Sequence, residues 1–263
     1  MPGARRGGLS VAFATIGAAV RAASEVLRAG VLLYGGAYGA GAITVSNRVV
    51  SAQVYFTGVE ALPVVLGIGV LVAAALMGVG FRSLQGLGAE EAFGQLVRLA
   101  VLLEIGPLLT ALVVAARSGT AIATEVATMK IRHEIAALEA HGVNSLAYLV
   151  VPRILGVCAA NVVLTVLFCA AVYLACAMIA PALSVPSVVA ARLLVEPLQA
   201  LDVPRFLLKA AAFGAALPAL TLARAFAVTG DANAIPRAGS QGVVDALIAI
   251  FTIDAAFAWF LHG

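Results

Sequence analysis

The run GVEALPVVLGIGVLVAAALMGVGF, Gly58–Phe81, decides the fold class. It is almost wholly apolar, it is continuous rather than alternating, and it exceeds the roughly 20 residues a helix needs to cross the hydrocarbon of a bilayer. The runs Phe93–Ala115, Leu149–Ile179, Phe206–Val228 and Val243–Leu261 have the same character, with polar connections between them. Across all 263 residues, 63% are hydrophobic and 11% charged, and the mean hydropathy is +1.08. So much apolar surface exceeds what a soluble core hides, so lipid is the solvent. Continuous runs exclude a β-barrel, whose strands alternate, and helices satisfy their own backbone groups. The expectation is an all-α integral membrane protein with an N-terminal interfacial helix and about five transmembrane helices.

Ahead of the first run, Arg21, Glu25 and Arg28 recur at i, i+4 and i+7 within Val11–Gly30. They give an otherwise apolar helix one polar face, as suits a helix lying in the membrane interface. Leu32–Ile43 carries Gly35, Gly36, Gly39 and Gly41, so it reads as a bendable, re-entrant segment. Arg5 and Arg6 before Leu9–Val20 imitate a signal peptide, but the charges that follow and the lack of an A-x-A site keep this segment in the mature chain. The division is then residues 1–45, interfacial and re-entrant, and 46–263, the transmembrane domain. The connection Pro181–Pro204, with Glu196 and Asp202, is expected to hold a short surface helix.

The net charge of +3 is spread along the chain, which argues against nucleic-acid binding. With the N-terminus inside, eleven basic residues fall on the cytoplasmic side: Arg5, Arg6, Arg21, Arg28, Arg48, Arg117, Lys130, Arg132, Arg153, Arg224 and Arg237. Five fall outside: Arg82, Arg98, Arg192, Arg205 and Lys209. That bias follows the positive-inside rule. Cys158, Cys169 and Cys176 share one apolar span without C-x-x-C spacing, so they read as small core residues rather than a disulfide or metal framework.

Chemistry concentrates between Glu104 and Arg153. Glu104 sits in L-L-E-I-G-P, where a carboxylate at membrane depth requires water, a partner or a proton. Two readings stay open there, a functional acid and an interhelical or end contact. Pro107 frees a backbone carbonyl and can kink the helix beside the acid. Ala111, Ala115, Gly119 and Ala123 recur every four residues, a small-residue face that lets helix backbones approach closely.

From Thr124 to His141, Glu125, Lys130, Arg132, His133, Glu134 and Glu139 interleave with Ile131, Ile135 and Leu138. That period predicts one amphipathic helix outside the bilayer, with a Lys130–Glu134 pair and a stop at Gly142. It either solvates its charges or inserts its apolar ridge into a partner. His133-Glu134 lacks the second histidine of a zinc-protease helix, since Ala137 stands there, and neither Lys130 nor Lys209 follows a phosphate-binding glycine loop. ATP-driven work therefore needs another chain. Asp245 and Asp254 lie nine residues apart in the last span, on nearly opposite faces, and do not form one paired-carboxylate site.

E-I-G-P-L-L-T-A-L-V-V-A-A-R-S-G-T-A-I-A-T-E-V-A-T-M-K (Glu104–Lys130) and E-I-A-A-L-E-A-H-G-V-N-S-L-A-Y-L-V-V-P-R (Glu134–Arg153) closely resemble the MlaE/YrbE family of ABC-transporter permeases. L-Q-G at Leu84–Gly86 and G-D-A-N-A-I-P-R-A-G at Gly230–Gly239, with the late Asp254, extend the likeness more weakly. The resemblance implies a lipid-transport permease of the bacterial inner membrane, itself binding no cofactor and paired with a second copy or a paralogue. ATP would bind a separate cytoplasmic ATPase, and an MCE-domain protein would exchange lipid with the permease.

By the same likeness, residues 125–141 would be the helix that couples to the ATPase, through Glu125, Met129, Lys130, Glu134 and Glu139. Glu104 would lie near the lipid cavity, with Leu76, Leu84 and Leu87 expected to line it. One departure stands out: many relatives carry arginine before this glutamate, and here it is Leu103. Glu104 then needs another partner, from Arg98 or from a second subunit. In the tail, S-Q-G-V-V-D-A-L at Ser240–Leu247 replaces a threonine-rich pattern. Outside this family, the residues alone also admit a proton-coupled transporter using Glu104, Asp245 or Asp254, or a non-transporting scaffold.

Overall fold

The computed structural model of the chain describes residues 47–183, 185, 201–230 and 233–262. The expected interfacial helix, the re-entrant segment and most of the Pro181–Pro204 connection lie outside them. Among the described residues the chain is helical with no strand. Five helices are long and apolar enough to cross a membrane: α1 (Val50–Gly86), α2 (Glu90–Ile131), α4 (Tyr148–Leu183), α5 (Asp202–Ala227) and α6, whose apolar stretch is Ala234–Trp259. A short α3 (Glu134–Ala140) lies between α2 and α4. All five expected spans are present, and each begins before its apolar run because the flanking residues continue the helix; the fourth ends at Ala227, where Val228 turns to extended backbone.

The short α1–α2 turn sets the second helix antiparallel to the first. Gly88, at φ +67°, closes the α1–α2 turn, and the Phe81 and Phe93 rings meet edge to face across it, 5.4 Å apart. α1 packs on α4, α4 on α5, and α5 on both α6 and α2, which places α5 at the centre. Its side chains Phe206, Phe213, Leu217 and Leu222 are buried there. At one end, here called proximal, Glu60 of α1 pairs with Arg117 of α2, Glu125 of α2 with Arg153 of α4, and Arg224 of α5 with Asp245 of α6. At the opposite, distal end Arg98 of α2 meets Asp202 of α5 at 2.6 Å.

The small-residue face is fully buried, with Ala111, Ala115, Gly119 and Ala123 all turned inward. A Cβ on Gly119 would stand 2.9 Å from Val243 Cγ2, and one on Gly242 would stand 3.0 Å from the Thr221 Cα. Side-chain-free surfaces at these points bring α2, α5 and α6 within backbone contact. Cys169 and Cys176 are buried in the core and Cys158 half-buried.

The single amphipathic helix expected over residues 125–141 is two pieces. α2 runs on to Ile131, Arg132 and His133 form a turn, and α3 starts at Glu134. His133 holds φ 60°, the one positive-φ non-glycine among the described residues. Its left-handed backbone turns α3 against the bundle. Ile135 is thereby buried, and Ile131 and Leu138 pack on the same core. The apolar ridge thus packs on the chain's own bundle, and Ile131 and Ile135 also line an open groove beside it. The predicted stop at Gly142 is present, at φ +78°.

Candidate functional site

Glu104 finds its partner within the chain. Lys209, on α5 and 2% exposed, places its ammonium 2.6 Å from Glu104 Oε2 and 2.7 Å from Asp254 Oδ1 of α6. It also donates to the Leu103 carbonyl at 3.0 Å. That carbonyl is the one Pro107, lacking an N–H, leaves without its α-helical donor four residues on. Arg98–Ile105 winds as wider π turns, and the Gly106 N–H bonds back to the Val101 carbonyl. Any Cβ at 106 would lie 2.6 Å from that oxygen and 2.7 Å from Cys169 Sγ. In I-G-P, then, the glycine admits α4 beside the widened turn, and the proline frees a carbonyl that the lysine takes.

One buried cation thus joins three helices at one depth. An ammonium in such a place is tolerable only with partners of this kind. The exposure is graded: the side chain of Glu104 is 36% exposed, that of Asp254 20% and that of Lys209 2%. Arg98 does not reach Glu104 but pairs with Asp202. Lys209, read from the sequence as a charge of the outer set, lies inside the bundle. Its signal was a lone lysine in F-L-L-K-A-A-A-F, a cost at membrane depth like that of Glu104.

Asp245 and Asp254 both turn to α5 despite their spacing, because the long side chains of Arg224 and Lys209 reach around the helix. They remain members of separate pairs. Leu76 and Leu84 are half-buried on the distal part of α1 and pack on the core, while Leu87, at the α1–α2 turn, is 80% exposed. That part of α1 meets Phe93–Val97 and α4.

At the proximal end, Glu125 accepts from Arg153 Nη2 at 2.6 Å, and Met129 packs on the core. Lys130 does not pair with Glu134; its ammonium donates to the Phe226 carbonyl at the end of α5. The His133 turn breaks the helical register that an i, i+4 pair requires. Glu134 lies 4.0 Å from Arg132 instead, and Glu139 accepts from Ser145 at 2.5 Å. Lys130, Ile135, Glu139, Leu146, Phe226 and Val228 line an open groove of about 610 Å³ between α3 and the α5–α6 link. Among the described residues no group of His, Cys, Asp and Glu is placed to hold a metal ion.

The family model of the permease MlaE matches residues 50–260. The intermembrane phospholipid transport system permease protein MlaE of Haemophilus influenzae is 34% identical over 143 residues, 54% of this chain and 55% of that protein. The chloroplastic protein trigalactosyldiacylglycerol 1 of Arabidopsis thaliana is 28% identical over 207 residues, 77% of this chain and 58% of its own length. A probable ABC transporter permease of Synechocystis is 26% identical over 226 residues, 82% of this chain and 83% of that protein. The chain thus spans somewhat over half the length of the first two of these relatives. Five membrane-length helices carry the matched region from the first span to the last, and the chain is a multi-pass membrane protein that belongs to the MlaE permease family.

Proposed function

We propose that the chain is the permease subunit of an ABC-type transporter that moves phospholipid between membranes. Supporting this is the family match over residues 50–260, together with a relative named for intermembrane phospholipid transport. In this reading it lies in the bacterial inner membrane, pairs with a second permease chain, and works with a cytoplasmic ATPase and an MCE-domain lipid-binding protein. It binds no cofactor and catalyses no reaction itself; ATP is hydrolysed on the partner. Glu104 borders the lipid path, with Leu76, Leu84 and Leu87 meeting acyl chains.

The ATPase meets the outward face of α3, where Glu134 and Glu139 are exposed. A push there passes to α2 across the His133 turn and through Lys130 to the end of α5. Glu125, held by Arg153, and Met129, packed on the core, keep the end of α2 rigid enough to transmit it. The test is lipid mass spectrometry on the complex purified with its ATPase, followed by ATP-dependent lipid transfer between vesicles. Co-purified phospholipid and transfer that stops without ATP are expected; transfer driven by a proton gradient with no ATPase present would move the chain to the secondary-transporter reading.

A further inference from the structure

Two ion pairs on α2 mark the depth of the bundle. Arg98, paired with Asp202, and Arg117, paired with Glu60, stand about 19 residues apart, roughly 28 Å of helix. That is close to the thickness of a hydrocarbon core. Lys130 lies about 13 residues beyond Arg117 on the same helix, roughly 20 Å further out. The groove that Lys130 lines between α3 and the α5–α6 link therefore opens outside the hydrocarbon, on the proximal side.

Its walls are nonetheless apolar. Ile135 and Val228 are each 8% exposed, Ile131 and Phe226 are half-buried, and Leu146 stands open to solvent. Val228, in extended backbone, and Gly230, at φ +97°, carry the chain along the wall that faces α3. At about 610 Å³ the groove has the size of pockets that enclose several side chains or a small ligand.

Two charged groups line it, and they are not equally satisfied. Glu139 accepts from Ser145 at 2.5 Å and makes no ion pair with Lys130. The half-buried ammonium of Lys130 donates to the Phe226 carbonyl, and among the described residues that neutral oxygen is its partner in place of a carboxylate. The end of α5 supplies a partial negative charge of about half a unit. Two of the three N–H donors, and the rest of the positive charge, are left for an anion.

We propose that this groove is a second contact for the cytoplasmic ATPase, filled by a ridge of that protein on which an apolar side chain stands beside an aspartate or glutamate. The apolar side chain seats between Ile135, Leu146, Phe226 and Val228, and the carboxylate takes the unused donors of Lys130. A position outside the hydrocarbon favours a protein over an acyl chain, and the uncompensated cation favours an acidic ridge. The inference rests on the ABC-permease reading and adds to it. Beyond the outward face of α3, the ATPase also holds the α5–α6 link, so α3 and the end of α5 rest on one partner surface. The stroke still enters through α3; the groove supplies binding.

The experiment uses the full chain co-expressed with its ATPase and purified as the complex in nanodiscs. Photo-reactive benzoylphenylalanine replaces Leu146 or Thr229, both exposed on the groove, and Leu87, exposed at the distal turn, as a control. Crosslinks to the ATPase are expected from 146 and 229 and not from 87. Mass spectrometry of the crosslinked peptide then names the acid. Lys130→Glu should weaken co-purification about tenfold, and reversing that acid to lysine in the ATPase should restore it. Lys130→Gln keeps a donor for the Phe226 carbonyl but loses the charge, and should weaken the complex too.

Ala136→Trp fills the groove from an exposed position and leaves Lys130 in place. It should unfold at the temperature of the wild type and hold the ATPase about tenfold less well. A complex undiminished by both Ala136→Trp and Lys130→Gln would overturn the groove contact. So would crosslinks from 146 and 229 that reach lipid or a second copy of this chain, or an acid whose reversal fails to rescue Lys130→Glu. In each of these cases an ATPase still held at α3 keeps the permease reading. If no ATPase co-purifies with the wild-type chain, the permease reading falls and takes the groove contact with it.

Discussion

Arg98 and Asp202 lie 2.6 Å apart, one near the start of α2 and the other at the first residue of α5. Six residues further along α2 and seven along α5, Glu104 and Lys209 repeat the contact with the charges exchanged. The two helices run the same way, so the alternation admits one register: sliding either by two turns would bring like charges together.

That clamp makes Asp202→Ala costly, because it strips a buried guanidinium of its ion pair. A loss of about 3–5 kcal/mol is expected, read as a lower unfolding temperature in detergent. The exchanged pair Arg98→Asp with Asp202→Arg should recover part of it. A double-mutant cycle with no coupling would show that the pair does not set the register.

The seam of α2, α5 and α6 yields a second expectation. Gly119→Ala would put a methyl group 2.9 Å from Val243 Cγ2, which overpacks the site by about 1–3 kcal/mol. Because the collision is with a side chain, Val243→Ala in the same chain should restore most of the loss. At Gly106 the nearest atom is instead the Val101 carbonyl, 2.6 Å away. Replacing Cys169 there should rescue Gly106→Ala only in part.

The proximal end separates two glutamates that the sequence treats alike. Glu139 is occupied by Ser145. Glu134 faces outward, 4.0 Å from an exposed Arg132, a contact worth little on its own. Glu134→Lys should therefore leave the unfolding temperature within the scatter of a surface change and weaken co-purification of the ATPase. Glu139→Lys should do both kinds of damage, and if co-purification survives both reversals, the outward face of α3 is not the docking surface.

The five spans were legible because continuous apolar runs need no partner to be recognised. The small-residue face was legible for a similar reason, its period lying within one helix. Glu104 announced that it needed a partner, and Pro107 that a carbonyl would be freed. Neither could say that Lys209 answers both, since the three meet only when α5 packs against α2, about a hundred residues later. Counting charges along the chain placed Lys209 outside, because the count has no term for a cation hidden by tertiary pairing. The ridge of Ile131, Ile135 and Leu138 was correctly seen as apolar, but periodicity shows that a face is buried and not against what. It took the turn at His133 to direct it inward.

That turn supports the last expectation. A left-handed backbone at a non-glycine residue costs roughly 1–2 kcal/mol, and glycine returns most of it while adding about 0.4–1 kcal/mol of freedom to the unfolded chain. His133→Gly should thus unfold no lower than the wild type, whereas His133→Val, branched at Cβ, should unfold lower. Under the proposed function, coupling moves the other way. Glycine makes the joint between α2 and α3 pliant, so a push on α3 is absorbed at residue 133 instead of reaching Lys130 and α5. Lipid transfer per ATP hydrolysed should fall in His133→Gly although its stability does not. A variant that is as stable as the wild type and equally well coupled would show that the rigidity of this turn has no part in transmission.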